Sequence, residues 1–277
     1  MNSKTSTETK ETFLQKLLGN NYKWWFLILY NIKFANAGVL GTLVMGFSLI
    51  LETLTTTYLW SMTTATSGVF TYLLLGRIYR TLCENNFYNA LSEDINSGKI
   101  TTDLMRPQPI LVFWLFKMIG RRLVRNIVSV QFHILACIIA VFLFARVDIN
   151  LSKIPLLLIF LPISFLIQHF IGNFIGLLAF FISNRRDFYA TTSVWESLRV
   201  VLIGSIIPLD KLPFSNFLQF LPTSFFLHHP MQIYLGKYDS NQRGFVFLGG
   251  IFWAIFLYFL AKFIFKMGLK KNESVGL

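Results

Sequence analysis

The sequence predicts an all-α integral membrane protein with six transmembrane helices, and three observations carry that expectation. Of its 277 residues 54% are hydrophobic, 30 are Phe and only 14% are charged, whereas soluble domains carry about 25% charged residues. The apolar residues gather into runs approaching or exceeding the ~20 residues that one bilayer crossing needs. Finally, 19 of the 25 Lys and Arg fall in segments that alternate crossing puts on one side, the distribution expected of cytoplasmic loops. The net charge of +12 therefore calls for no nucleic acid partner. The whole chain, 1–277, reads as one transmembrane domain with no room for a large soluble one.

Residues 1–36 are read as a cytoplasmic tail followed by an interfacial helix. Residues 1–22 lack the apolar core of a secretory signal, so the amino terminus is expected to stay cytoplasmic. From Phe13 to Ala35 the apolar residues are interrupted by Lys16, Asn20, Lys23, Asn31 and Lys33, and the run Trp24 to Tyr30 is too short to cross. Trp24, Trp25 and Tyr30 would lie at headgroup depth, with lysines on phosphates.

The first span is expected from Ala37 to about Trp60, interrupted only by Glu52, with Ala37 and Gly41 as a small-residue packing face. Ser61 to Ser67 turns the chain, and the second span returns from Gly68 to Cys83. Arg77 and Arg80 near its inner end are expected to snorkel to the cytoplasmic headgroups.

The segment 84–126 is then a cytoplasmic loop, and its polar block 87–107 is the part on which the chain is organised. Phe87, Leu91 and Ile95 recur every four positions, one narrow face of a short helix that Gly98 would end in a left-handed cap. A second short helix would bury Ile100, Leu104 and Met105, and Arg106 stops it because Pro107 disfavours helical geometry in the residue before it. Two readings stand for this hinged knuckle: a solvated connector, or a docking surface for a cytoplasmic partner. The following stretch, with Lys117, Arg121, Arg122 and Arg125, reads as an amphipathic approach on the inner surface.

The third crossing is expected at Ile127–Ala145 and the fourth at Ile154–Ile182, tilted or bent at Pro162 and carrying a GxxxG face at Gly172 and Gly176. The inner turn 184–187 leads to a fifth segment, Ala190–Leu209. Residues 208–235 hold Pro208, Pro213, Pro222 and Pro230, four of the eight prolines, among many Phe and Leu. They are too broken to cross and too apolar for open water, so an extracytoplasmic re-entrant hairpin before the last span is expected. The last span runs Phe245–Phe265, with Lys266, Lys270 and Lys271 behind it, placing both termini in the cytoplasm.

Catalytic chemistry is sparse. There is no GxxxxGK[ST], HExxH, CxxC or GxSxG pattern, so no catalytic residue, cofactor or metal site is assigned to this chain. Cys83 and Cys137 read as unpaired. His133 and His169 read as packing residues, with a haem pair as the alternative, and His228 and His229 in the outer hairpin are expected to be solvated. Ionised groups within spans are costly, about 2.5–3.5 kcal/mol each on insertion scales, so Glu52, Glu196 and Arg199 are candidates for a transport pathway. Glu196 and Arg199, three apart, either neutralise one another or face a polar cavity together.

Several runs in order resemble the ABC-2 type permeases, in the branch of small six-span subunits of bacterial ABC exporters. They are FTYLLLGRI at 70–78, EDINSGKITTDLMRP at 93–107, IPLDKLP at 207–213, LP at 221–222, HPMQIYLGK at 229–237 and the closing GLKKNESVGL. The cluster Asp94, Gly98, Asp103, Leu104, Arg106 and Pro107 is the most specific. The resemblance implies a permease subunit of the bacterial cytoplasmic membrane that exports its cargo and pairs with a second permease subunit, as homo- or heterodimer. Separate ATPase subunits would hold the ATP and Mg, and the knuckle would be the coupling helix region, with Phe87, Leu91, Asp94, Ile95, Gly98, Asp103, Leu104, Arg106 and Pro107 serving it. Two rival readings remain: a permease driven by an ion gradient through Glu52 and Glu196, and a membrane-embedded haem protein or enzyme.

Overall fold

A computed structural model describes residues 22–33, 39–63, 66–84, 87–143, 149–182 and 184–273. The expected tail 1–21, Ala37 and the last residues of the closing motif lie outside them. Every regular element among the described residues is helical. In chain order these are α1 (Tyr22–Lys33), α2 (Val39–Ser61), α3 (Ser67–Cys83), α4 (Phe87–Asn96), α5 (Ile100–Leu104) and α6 (Ile110–Leu143). There follow α7 (Ile154–Leu177), α8 (Arg185–Leu202), α9 (Ser215–Phe220), α10 (His228–Tyr234) and α11 (Ser240–Glu273).

Among the described residues four stretches are long and apolar enough to cross a membrane: Leu40–Ser61, Val124–Leu143, Leu151–Phe180 and Ser240–Lys271. They match the expected first, third, fourth and last spans. The other two expected spans are marginal. α3 has 17 residues and carries Arg77 and Arg80, and α8 has 18 residues with Arg185, Arg186, Asp187, Glu196 and Arg199. α8 also begins five residues before the expected Ala190 and stops seven before Leu209, because Asn184 caps it, its side chain accepting from the Arg186 amide at 3.0 Å. Beyond Leu202 the chain turns at Gly204 with φ +73°.

α6 corrects the expected separation of an amphipathic approach from a third span. It is one helix of 34 residues, since the basic residues at its foot are good helix formers and no proline interrupts it. Charge patterning there marks an edge of the apolar stretch, not an end of the helix. α1 lies along this foot, where Trp24 stacks on Phe116 at 4.7 Å between ring centroids and Arg121 Nε donates to Asn31 Oδ1 at 3.3 Å. α2 packs on the other part of α6 and α11 on α7.

Two expected contacts are not made. Arg77 does not snorkel outward: it is 4% exposed, with Nη1 2.6 Å from Glu52 Oε1 and Nη2 donating to Thr56 Oγ1 at 2.7 Å. A carboxylate on the neighbouring helix satisfies a guanidinium better than an extended side chain can. At Gly41 a Cβ would stand in open space, with nothing within 4 Å among the described residues. Gly176 is used as expected, because a Cβ there would meet Leu91 Cβ and Tyr88 Cα at 3.0 Å. Its lack of a side chain lets α4 lie directly on α7.

The segment 208–235 is broken as its prolines require, into short turns at Leu209–Lys211 and Pro222–Phe225 and the short helices α9 and α10. It packs down onto α3 and α7. Phe226, Met231 and Tyr234 join Tyr72, Leu73 and Leu157 in one apolar cluster. Burying such side chains stabilises by roughly 1.5–3 kcal/mol apiece. His228 and His229 are therefore not solvated as expected but 1% and 6% exposed. His229 Nε2 donates to the Gln219 carbonyl at 2.8 Å, leaving Nδ1 as the acceptor for the Tyr238 hydroxyl at 2.9 Å.

Candidate functional site

The knuckle between α3 and α6 is built from its apolar face upward. Phe87, Leu91 and Ile95 are all buried and share a cluster with Trp114, Leu177, Phe180 and Phe265. The Phe87 ring centroid lies 5.8 Å from those of both Trp114 and His169. These three residues thus seat the knuckle on α6 and α7, and their four-residue spacing is what turns them to one side of α4.

α4 ends at Asn96 and the chain reverses through Gly98 at φ +73°, a conformation that side chains with a Cβ resist. The Gly98 carbonyl accepts from the Thr101 amide at 3.2 Å and from Thr101 Oγ1 at 2.8 Å, which starts α5 at once. α5 is a single turn of five residues. Ile100 and Asp103, three apart, take its inward face and are 4% and 8% exposed. Leu104 and Met105, expected to be buried, are instead 38% and 85% exposed, because one turn has only one inward stripe to offer.

Asp103 is held from below. Its Oδ2 accepts from Lys117 Nζ at 3.0 Å and from Trp114 Nε1 at 3.1 Å, both on α6. Asp94 on α4 shares the same ammonium at 3.5 Å. Arg106 Nε is 3.7 Å from Asp103 Oδ1, and its guanidinium stacks 4.7 Å over the Phe113 ring. Asp94, Asp103 and Arg106 of the motif run 93–107 are thereby brought together, but the two carboxylates are turned to Lys117. Outward, the knuckle presents Glu93, Lys99, Leu104, Met105, Arg106 and Pro107. Beside it a groove of about 450 Å³ runs between α1 and the chain after α5, lined by Lys23, Trp24, Tyr30, Arg106 and Phe113 among others.

The pathway candidates fall into two separate ionic groups, one a pair and the other a triad. Glu52 belongs to Arg77. Arg199, 3% exposed, bonds Glu196 Oε2 at 2.7 Å and Glu84 Oε1 at 3.0 Å, so the neighbour in sequence is only half of its neutralisation. Arg199 Nη1 and Glu196 Oε1 are buried with no hydrogen-bond partner, an incomplete network of the kind that costs stability. Burial raises the pKa of Glu84, but Arg80, Arg199 and Arg122 outweigh it and hold the carboxyl below its ordinary value. Sequence reasoning missed Glu84 and the role of Lys117, since both act across the fold, 115 and 14 residues from their partners.

Two motif runs from the far end of the chain also meet. Asp210 accepts from Gln232 Nε2 at 3.2 Å and from Lys237 Nζ at 3.0 Å, closing the broken hairpin on itself. Both cysteines are free. Among the described residues no group of three or more His, Cys, Asp or Glu is placed to hold a metal ion.

Compared with known proteins, residues 37–276 match a family model described as ABC-2 family transporter protein. No curated protein and no solved structure matches the chain.

Proposed function

The chain belongs to the ABC-2 family of transporter proteins, and from that premise we propose that it is the permease subunit of an ATP-driven exporter. Its membrane-spanning helices and family make it a multi-pass permease component, and ATP hydrolysis in this family belongs to separate subunits. In the proposed assembly it pairs with a second permease subunit, and ABC ATPase subunits carrying ATP and Mg dock on the knuckle. α3 and α8 cross as well, making six spans in the bacterial cytoplasmic membrane with both termini inside. At 1.5 Å per residue, helices of this length reach about 25–27 Å, just short of a 30 Å apolar core. Internal pairing of Arg77 and Arg199 removes the main obstacle to their insertion.

One observation supports the coupling role above others: an exposed tip mounted on a buried base. Leu104 and Met105 project outward, while Phe87, Leu91, Ile95, Ile100 and the Asp103–Lys117 bond join the base to α6 and α7. A push on the tip then moves those long helices with little loss in slack. Asp94 and Asp103 serve the base, so the partner contact falls to Leu104, Met105, Arg106, Glu93 and Lys99.

The test is affinity purification of the tagged chain from its native membranes, with ATP hydrolysis measured in the eluate. Leu104→Asp with Met105→Asp should remove the ATPase while leaving insertion and thermal stability close to wild type. ATPase recovery at wild-type yield from that variant would sink the docking reading.

A further inference from the structure

A second site lies away from the knuckle, in a slot of about 550 Å³ between the end of α3, the foot of α6 and the middle of α7. Leu115 and Ile119 of α6 face Leu161, Pro162 and Phe165 of α7 across it, and Leu82 closes one side. Arg122 and Asn126 are the polar residues in its wall. Positions 115, 119, 122 and 126 share one face of α6, so the slot follows that helix for about 16 Å at 1.5 Å per residue.

The two polar residues differ. Asn126 is committed, its Nδ2 donating to the carbonyls of Leu82 at 3.3 Å and Glu84 at 3.2 Å. The Arg122 guanidinium has no hydrogen bond or ion pair to any described residue. Glu84, the acid whose charge reaches it, spends its bond on Arg199. Burial lowers the Arg122 pKa, and the charges of Arg125 and Arg199 lower it further against the pull of Glu84. Around this point Arg80, Arg122, Arg125 and Arg199 stand against Glu84 and Glu196, a local surplus of positive charge.

An apolar slot with one unanswered guanidinium in its wall fits a ligand that is a hydrocarbon chain bearing an anion. We propose that this slot binds an anionic phospholipid, its phosphate on Arg122 and one acyl chain between α6 and α7. Charge complementarity favours this occupant over a second copy of the chain, which would have to offer a carboxylate to the same position inside an apolar seam. The bound lipid would supply the anion that Glu84 cannot, and would brace α7 at Pro162, where the helix lacks one backbone donor.

Native mass spectrometry of the purified full chain, exchanged into detergent with either phosphatidylglycerol or phosphatidylcholine, reads this directly. Wild type should retain phosphatidylglycerol in preference to phosphatidylcholine by about tenfold, the factor that one charge-assisted contact carries. Arg122→Gln should lose the preference, Arg122→Lys should keep part of it, and Ile119→Trp, which fills the slot, should reduce retention of both lipids. Arg122→Lys and Ile119→Trp keep the charge, so their folding is separable from the loss of the anion contact. Equal preference in wild type and Arg122→Gln would overturn the site. So would displacement of neither lipid by Ile119→Trp, or appearance of a dimer that Ile119→Trp dissociates, which would make the slot an interface between copies. Removal of the signal by millimolar inorganic phosphate, with no effect of slot filling, would mean a free-anion site and would equally overturn the lipid reading.

Discussion

The Lys117 ammonium lies 3.0 Å from Asp103 Oδ2, and both side chains are nearly closed off from solvent, at 12% and 10% exposure. This bond joins α5 to α6, and the same ammonium reaches Asp94 on α4 at 3.5 Å. Three helices thus meet on one charge. Removing it strands Asp103, whereas removing Asp94 strands nothing of comparable burial.

Lys117→Met should therefore lower stability, by less than the ~3–5 kcal/mol usual when one partner of a buried pair is left alone, because Arg106 Nε stays 3.7 Å from the same carboxylate. The Trp114 bond to the same carboxylate offsets part of that loss. Asp94→Asn should cost under about 1 kcal/mol, since its bond is long and partly exposed. Thermal unfolding of both variants in one detergent compares them. Equal shifts would show that the knuckle is not held through Lys117.

Gly98→Val should impair coupling through backbone strain alone. No atom lies within 4 Å of the Cβ that valine would add, so there is no clash, and the left-handed φ costs about 1–2 kcal/mol for a residue with a Cβ. Asn tolerates that conformation better, so Gly98→Asn should restore much of the function. Stimulation of the partner's ATPase, read alongside membrane insertion, is the measurement. Normal stimulation by the valine variant would take Gly98 out of the mechanism.

Asn216 sits exposed on α9, in the proposed outer hairpin. Asn216→Cys should react with a membrane-impermeant maleimide added to intact cells. Cys83 is fully buried and should contribute no background. Reaction only after the cells are opened would reverse the topology proposed from α8 onward.

Acid should loosen the hairpin. Burial, reinforced by the neighbouring His229 and by Lys237 against Asp210, lowers the His228 pKa to about 3, and burial also lowers that of His229. In the unfolded chain each titrates near 6.5. The folded state therefore binds fewer protons, and stability present above pH 6.5 falls as the pH drops from 6.5 toward 3. For His228 alone the loss is about 2 kcal/mol by pH 5. Melting temperature followed from pH 7.5 to 5 should decline less steeply in His228→Phe than in wild type. Parallel slopes would mean that His228 does not carry the effect.

What the sequence by itself determined is local. The apolar runs place α2, α7 and α11 because stretches of about twenty predominantly apolar residues have no other stable disposition, and the spacing of Phe87, Leu91 and Ile95 with Gly98 behind them writes helix, cap and reversal into a dozen residues. The choice of partner for each charge was settled only by tertiary structure. Arg77 looks the same in sequence whether it snorkels or turns to Glu52, 25 positions away, and Arg199 announces Glu196 but not Glu84. Leu104 looks as apolar as Ile100, yet it faces out, because a one-turn helix has room for a single inward stripe and Ile100 and Asp103 fill it. His228 and His229 read as polar outer residues until α10 is seen packed onto α3 and α7. Helix formation is driven by neighbours within four residues, whereas burial and ion pairing depend on which helices lie side by side, and only packing decides that.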